Sequence, residues 1–386
     1  MHIGIAGPIA HNSMESTMGI PDGTLPICLG GHGIPMLAKG LLLLGHTVSV
    51  YTLSKDVSEH VHFTNGNCYL HIGHYRTKHR ARDLFKTEIN EINVLISADK
   101  PDIVNAQWSY EFAMGALKTG TPTVVTLRDW APEILCQFKD CYRLARLILN
   151  NRVLSEGKRF IANSPYLKKR ASKKIKKEIP VIPNPIDDAL FKNEEKTIQK
   201  RYRIISVNNG FCKRKNVKTL VKAFAKIYSE LKNVELLLIG EEYEPHGKAN
   251  RWVQKSGFEE LPIIYGGSVS FKNLIVQYDT SDLLIHPSLE ESFGNTLIEA
   301  MCRKVPIIGG ESSGAVPWVL DHGNAGILVD VKDSDAIAAA TIKILKDKKR
   351  WQFYSTAGYQ NTFSRFKLSA ISQQCVKYYE SVLNDS

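Results

Sequence analysis

The chain has 386 residues, 43% of them hydrophobic and 23% charged, with 50 Lys and Arg against 39 Asp and Glu for a formal charge of +11. This is a globular mixture, which excludes a disordered or fibrous chain. The length exceeds the roughly 250–300 residues at which one hydrophobic core stops growing, so two domains are expected.

The chain opens on an apolar run, Met1 to Ala6, with no preceding positive segment and an early break at Gly7 and Pro8. No secretory leader is expected. The most apolar stretch, Ile34 to Leu53, is interrupted by Lys39, Gly40 and His46. It falls short of the ~20 apolar residues of a bilayer span. Cys28, Cys68, Cys136, Cys141, Cys212, Cys302 and Cys375 are scattered without a Cys-x-x-Cys pair. They read as reduced thiols in a cytoplasmic protein.

Strands are predicted at His2–Ala6, Thr47–Leu53, Ile103–Ala106, Thr123–Leu127 and Phe160–Ala162, each followed by polar or glycine residues and a helical pattern. This alternation implies a parallel sheet covered on both faces. It restarts after Pro183-Asn184-Pro185, with strands predicted at Ile204–Asn208, Val234–Ile239, Ile263–Ile264, Leu283–His286 and Pro306–Ile308. Beyond Asp333 the pattern is helical, over Ala336–Leu345, Arg350–Thr362 and Leu368–Leu383. The fold class is α/β, with two Rossmann-like doubly wound domains facing across a cleft. Ligands of such sheets bind beyond the carboxyl ends of the strands, which confines the search for chemistry to the residues there.

The positive charge is uneven. Residues 151–178 hold ten basic and two acidic residues. A solvated helix face accounts for such a run, as does an anionic membrane surface or a phosphorylated substrate. Nucleic acid is the weakest partner, because no zinc-finger, RNP or helix-turn-helix pattern accompanies the run.

Three segments carry chemistry. Gly30-Gly31-His32-Gly33 precedes a helix predicted at Ile34–Leu44, and glycines there let backbone N–H groups approach a phosphate. The spacing is not Gly-x-Gly-x-x-Gly, which disfavours a nicotinamide or flavin site. Asn208-Asn209-Gly210-Phe211-Cys212-Lys213-Arg214-Lys215-Asn216 follows a strand and places three cations at a helix start. They oppose the dipole there unless an anion is held among them. Pro287 to Met301 places Glu291 at the end of a loop, has Ser292 to Asn295 open a helix, and brings Glu299 about 12 Å farther along the axis if the segment is fully helical. Two carboxylates so separated cannot share a proton, but they can meet hydroxyls at the two ends of an extended ligand.

Pro-Ser-x-x-Glu-x-Phe-Gly followed by Glu-Ala-Met, with the Glu291 and Glu299 spacing, resembles the nucleotide-sugar site of retaining glycosyltransferases of family 4. The resemblance extends through Gly30-Gly31, Pro101 to Val104, Val124 to Leu127, Ile161 to Ser164, Ile182 to Asp187, Lys215-Asn216-Val217 and Gly326 to Asp330. It implies the two-domain B-type fold, with residues 1–184 binding the acceptor, 185–366 the nucleotide-sugar, and a C-terminal helix in 367–386 packing back on the first domain. It also implies that Glu291 meets the donor sugar and Glu299 the ribose. The backbone of Ser292, Phe293, Gly294, Asn295 and Thr296 would hold the diphosphate with Lys215, and Asn209, Lys213 or Arg214 would assist. Gly31 would close on the phosphates. No metal or other cofactor is implied, since protein donors and cations stabilise the leaving diphosphate.

This chain departs from the family in places. Arg128 and Asp129 stand where a His is common, Gln107 replaces an acceptor-side His, and Gly314 to Trp318 lacks a frequent Glu. Arg128 and Asp129 are nevertheless candidates for a catalytic role at that edge. Asp333-Ser334-Asp335 matches a short metal-binding pattern but reads as a helix cap. His71-x-x-His74, with His60 and His62, reads as surface histidines, because no acidic or Cys partner has fitting spacing.

The resemblance thus implies a retaining, metal-independent transfer of a sugar from a nucleoside diphosphate donor to a hydroxyl of a glycan or lipid-linked acceptor, in surface polysaccharide or glycoconjugate synthesis. Peripheral contact with an anionic membrane would run through Lys168, Lys169, Lys173 and Lys174. The competing readings are a nucleotide-sugar-binding protein without catalysis, and an epimerase-like or phosphorylase-like enzyme of the same fold.

Overall fold

The computed structural model describes every residue except Leu29, Asn193 and Ser386. The chain divides into two compact units, Met1–Asp187 with the residues from Leu368 onward, and Asp188–Lys367.

The first unit contains, in order, β1 (His2–Ala6), α1 (His11–Met18), α2 (Gly33–Leu43), β2 (Thr47–Ser54), β3 (Val61–Asn65), β4 (Cys68–His74), α3 (Lys86–Asp99), β5 (Ile103–Gln107), α4 (Glu111–Leu117), β6 (Thr123–Leu127), α5 (Ala131–Phe138), α6 (Cys141–Glu156), β7 (Arg159–Ala162) and α7 (Pro165–Ala171). Its seven strands lie in the order β3-β4-β2-β1-β5-β6-β7, parallel except for β3. The strands are apolar on both faces. Val48, Val50 and Ile103 enter one core with Ile3 and Ile5, while Leu53, Val104 and Ala106 enter another with Ala6. Burial on both sides is what covering helices require of a parallel sheet.

The edge hairpin β3–β4 is an addition to the predicted alternation. Asn65 pairs with Cys68 across Gly66-Asn67, and Gly66 takes a φ of 56°. A Gly at the first central position favours such a two-residue turn. β3 is largely exposed, so it lacks the continuous apolar run that marks the other strands.

The second unit contains β8 (Tyr202–Val207), α8 (Val217–Glu230), β9 (Val234–Ile239), α9 (Lys248–Lys255), β10 (Ile263–Gly267), α10 (Phe271–Asp279), β11 (Leu283–His286), α11 (Asn295–Cys302), β12 (Ile307–Gly310), α12 (Val316–Val319), β13 (Ile327–Val329), α13 (Ser334–Lys346) and α14 (Lys348–Arg365). Its six strands are all parallel, in the order β10-β9-β8-β11-β12-β13. Connections run outward from β8 in one direction and from β11 in the other. The switch point therefore lies between these two strands, where a doubly wound sheet opens a crevice.

The last helix, α15 (Leu368–Asn384), belongs to the first unit. Ile371, Cys375, Tyr379 and Val382 join the core around Ile3 and Ile5. Asn105 Nδ2 donates to Tyr379 Oη at 2.5 Å. A Cβ on Gly40 of α2 would come within 2.0 Å of Ser372 Oγ, so the missing side chain lets α2 and α15 approach.

Two local expectations change. Ser292 to Asn295 do not open a helix: α11 begins at Asn295, and Gly294 ahead of it takes a φ of 95° that L side chains disfavour. Glu291 and Ser292 therefore lie in loop, and the axial spacing of a continuous helix does not apply. Lys213–Lys215 form a separate 3-10 turn closed by Asn216 at a φ of 55°, and α8 starts only afterwards. The three cations precede the helix rather than occupy its first turn.

Candidate active site

The residues after β8 and β11 meet at the switch point of the second unit. Asn216 Nδ2 donates to the carbonyls of Pro287 (3.1 Å) and Val331 (2.7 Å), and Leu289 N donates to the carbonyl of Arg214 at 2.8 Å. These bonds tie the cationic turn to the loop that carries Glu291. Lys215 Nζ lies 2.5 Å from Glu291 Oε1, Arg214 Nη1 3.7 Å from Oε2, and His286 Nε2 3.5 Å from Oε1. The anion that the basic turn calls for is thus supplied by the chain itself. Burial would push the Glu291 carboxyl up, but Lys215, His286 and Arg214 hold it well below the usual carboxylate range. Glu291 is a fixed anion beside the start of α11.

Gly314 supports this position from behind. Its φ is 65°, and a Cβ there would lie 2.3 Å from the Glu291 carbonyl oxygen. Ala315 N donates to that oxygen at 2.9 Å. In place of a frequent Glu, this segment contributes a backbone brace.

Glu299 sits about one turn into α11 and accepts from Tyr278 Oη of α10 at 3.0 Å. Burial pushes its carboxyl up to about 7, partly offset by the Tyr278 bond. Near neutrality Glu291 is therefore a fixed anion, while Glu299 is at the midpoint of its titration. Phe293 points into the core against Phe366 (5.7 Å) and Trp318 (6.3 Å between ring centroids), which leaves only its backbone for a ligand. Thr296 Oγ1 lies 3.4 Å from His286 Nδ1. Asn209, Lys213 and Asn295 are exposed around the same strand ends, while Ser292 and Gly294 are partly covered.

Sequence reasoning passed over His286 and Tyr278. His286 closes the strand Leu283–His286, and the rule that chemistry lies at carboxyl strand ends was enough to mark it. Tyr278 reaches Glu299 from another helix, so no local pattern announces it.

The other candidates lie in the first unit. Gly31 O accepts from Ala10 N at 3.1 Å, and the Gly31 Cα faces open space where a Cβ would meet nothing within 4 Å. Its neighbour Gly30 is sterically required, since a Cβ would lie 2.3 Å from the Pro8 carbonyl carbon. Arg128 and Asp129 follow β6 and have separate partners. Arg128 Nε donates to Gln107 Oε1 and Nη1 to Asn184 Oδ1, both at 2.5 Å, and burial pushes the guanidinium down to about 10. Asp129 Oδ1 accepts from Tyr110 Oη at 2.9 Å.

The two short metal-like patterns have other roles. Asp333 caps α13 by accepting from Asp335 N at 2.8 Å, and Asp335 pairs with Lys226 at 2.6 Å. Of the four histidines expected at the surface, His60 and His62 are exposed, whereas His71 is half-buried, stacks on Tyr51 at 5.2 Å, and lies 3.5 Å from Asp99. Asp99 is distant in sequence and comes close only because α3 packs against the sheet. Among the described residues, no group of three or more His, Cys, Asp or Glu side chains is placed to hold a metal ion, and no helix is long and apolar enough to cross a membrane.

Residues 34–190 match the family described as Glycosyltransferase Family 4, and residues 188–361 the family described as Glycosyl transferases group 1. N-acetyl-alpha-D-glucosaminyl L-malate synthase of Bacillus anthracis is 32% identical over 217 residues, which are 54% of this chain and 55% of that protein. Sucrose-phosphate synthase of Zea mays is 32% identical over 163 residues, 38% of this chain and 15% of that protein. The chain thus spans about half or less of these curated relatives. Among solved structures, sucrose-phosphate synthase from Thermosynechococcus elongatus superimposes with a TM-score of 0.79 at 19% identity over 100% of both chains. HepE of Anabaena, solved in complex with UDP-glucose, does so with a TM-score of 0.68 at 18% identity over 99% of this chain and 100% of its own. With family matches that together run from residue 34 to residue 361, and with this shared fold, the chain belongs to the family 4-like glycosyltransferases of the B-type fold.

Proposed function

We propose that the protein transfers a sugar, with retention of anomeric configuration and without a metal ion, from a nucleoside diphosphate donor to a hydroxyl of a glycan or lipid-linked acceptor. The observation that carries this reading is the fixed Glu291 anion beside the start of α11, flanked by Lys215 and Arg214 at the switch point of a Rossmann-type sheet. Glu291 accepts hydrogen bonds from the donor sugar's hydroxyls. The α11 N-terminus and the cationic turn take the diphosphate, where positive ends of peptide dipoles favour an anion. Lys215 balances the charge of the departing diphosphate, a preorganised stabilisation that needs no reorganisation during the step. Retention follows from attack on the face the diphosphate leaves, which requires no protein nucleophile. That HepE of Anabaena was solved in complex with UDP-glucose supports a nucleotide-sugar as donor.

A thermal-shift screen of UDP-, GDP-, ADP- and CMP-sugars tests this reading, since a ligand that binds only the folded state raises its apparent stability. A shift of several degrees with one nucleotide class is expected. No shift with any of them overturns the reading.

Glu299 gives the site a pH dependence. As the ribose partner it must be ionised to accept from two hydroxyls, and its carboxyl is raised from 4.5 to about 7. Donor affinity is therefore expected to rise with pH through about 7, falling roughly tenfold per unit below that value. The same shift has the folded state lose stability, not gain it, as pH rises from 4.5 to about 7. Calorimetric titration with the donor at pH 6, 7 and 8 checks this; Glu299→Gln should flatten the profile, and a flat profile in the unaltered protein contradicts the ribose role.

Membrane contact has a defined surface. Leu167, Ala171, Ile175 and Ile179 face the core, while Lys169, Lys173 and Lys174 are exposed and Lys168 is half-exposed. Such a face suits anionic lipid headgroups. Sedimentation with phosphatidylglycerol vesicles should fall when all four lysines are replaced by Gln, and unchanged sedimentation removes the proposal.

A further inference from the structure

Glu299 and Arg303 stand four residues apart at the end of α11, and both reach the last turn of α10. Arg303 grips Asp279 there through two bonds, Nε to Oδ1 at 2.8 Å and Nη2 to Oδ2 at 2.7 Å. One turn earlier on α11, Glu299 Oε2 accepts from the Tyr278 hydroxyl at 3.0 Å. Together the two contacts fix how α11 is turned against α10.

Tyr278 is fully buried, and among the described residues its hydroxyl has no partner other than Glu299. Phe would fill the same space, so packing does not account for the hydroxyl. The backbone carbonyl of Tyr278, one of those a helix end leaves open, accepts from Ser281 N at 3.2 Å and from Lys196 Nζ at 2.7 Å. Lys196 lies in the segment before β8 and is only 8% exposed, a rare place for an ammonium. Its charge complements the end of α10.

A hydroxyl that donates to a carboxylate favours the ionised form, since a hydrogen bond to an ion is about twice as strong as one between neutral groups. Burial and the neighbouring carboxylate both keep the phenol protonated, so it can only donate to Glu299. The other charged or titratable groups around Tyr278 and Lys196 are Lys192, Asp279, Asp282, Cys302 and Arg303, and none of them is bonded to the Glu299 carboxyl among the described residues. Where Glu291 has three cations, Glu299 has this one donor. Burial pushes Lys196 down to about 8, but a neutral amine still donates to a carbonyl, so its bond outlasts that titration.

We propose that Tyr278 is a positioning residue of the donor site: its hydroxyl turns the Glu299 carboxylate towards the ribose hydroxyls of the nucleotide-sugar, and Lys196 holds the end of α10 that carries it. The assignment rests on the ribose role of Glu299 given above.

Calorimetric titration of the full chain with UDP-glucose, GDP-glucose and ADP-glucose between pH 6 and pH 9 tests it. Tyr278→Phe keeps the ring and removes the O–H. Its curve of affinity against pH should have a midpoint about one unit above that of the unaltered protein, so that binding is about fivefold weaker at pH 7 and nearly equal at pH 9. An unshifted midpoint overturns the assignment, as does a loss of the same size at every pH, which is packing damage alone. Lys196→Met keeps the buried stem without the donor, and it tests the same assignment should Tyr278→Phe not fold. Binding about fivefold weaker at pH 7 is expected, with most of it recovered in Lys196→Arg, which can still donate. Unchanged binding in Lys196→Met, or no recovery in a folded Lys196→Arg, overturns the role of Lys196. The unaltered protein separates the two failures: no binding or a flat curve there removes the ribose role of Glu299 and this assignment with it, whereas one and the same rising curve in it and in Tyr278→Phe removes the assignment alone.

Discussion

Replacing Glu291 by Gln is expected to lower kcat/KM for sugar transfer by about 10²–10³-fold while the protein stays folded, and Lys215→Ala should do the same. The two side chains form one unit: a half-buried carboxylate held ionised by a lysine 2.5 Å away, with Arg214 and His286 farther off. Gln keeps the shape and one acceptor oxygen but removes the charge that orders the cationic turn and strengthens the hydrogen bonds to donor hydroxyls. Ala at 215 removes the cation nearest the leaving diphosphate and lets the Glu291 carboxyl move up. Because both side chains keep some solvent contact, the stability cost stays well below the roughly 3–5 kcal/mol of breaking a fully buried pair. Steady-state kinetics with circular dichroism and melting curves measure both sides. Near-normal turnover in either variant would contradict the assignment.

Gly314→Ala should damage the same site through the backbone. The residue sits at a φ of 65°, and the new Cβ would come within 2.3 Å of the Glu291 carbonyl oxygen. The left-handed conformation alone costs an L residue about 1–2 kcal/mol. The clash cannot be relieved by a side-chain rotation, because the atom it meets is main chain, so the Glu291 loop must move. A melting temperature lower by about 5 °C or more is expected, since about 2 kcal/mol shifts a domain of this size by several degrees. Donor affinity should fall at least tenfold as well. Gly31→Ala is the useful contrast, because a Cβ there meets nothing within 4 Å and should leave the melting temperature unchanged. A Gly314→Ala protein with ordinary stability and donor affinity would show that the brace does not matter.

The fold was legible because most strands are continuous apolar runs buried on both faces, and those runs are visible without coordinates. Val234–Ile239 and Leu283–His286 occur with the predicted bounds. The β3–β4 hairpin was not legible by that criterion, since His62, Thr64 and Asn65 interleave its apolar residues and its outer strand faces solvent. Its signal was the Gly66-Asn67 pair between the two strands. At the site, the residue types were readable but not their pairings. Three cations before α8 suggested an external anion, and the anion that two of them, Arg214 and Lys215, meet is Glu291, reached only through tertiary packing.

The most direct measurement is calorimetric titration of the unaltered protein and Glu291→Gln with the nucleotide-sugar selected by the thermal-shift screen. Saturable binding to the unaltered protein, at least tenfold weaker in a variant of matched melting temperature, is the predicted result. Equal affinity in the two proteins, or no nucleotide-sugar binding at all, would contradict a donor site built on Glu291 and Lys215.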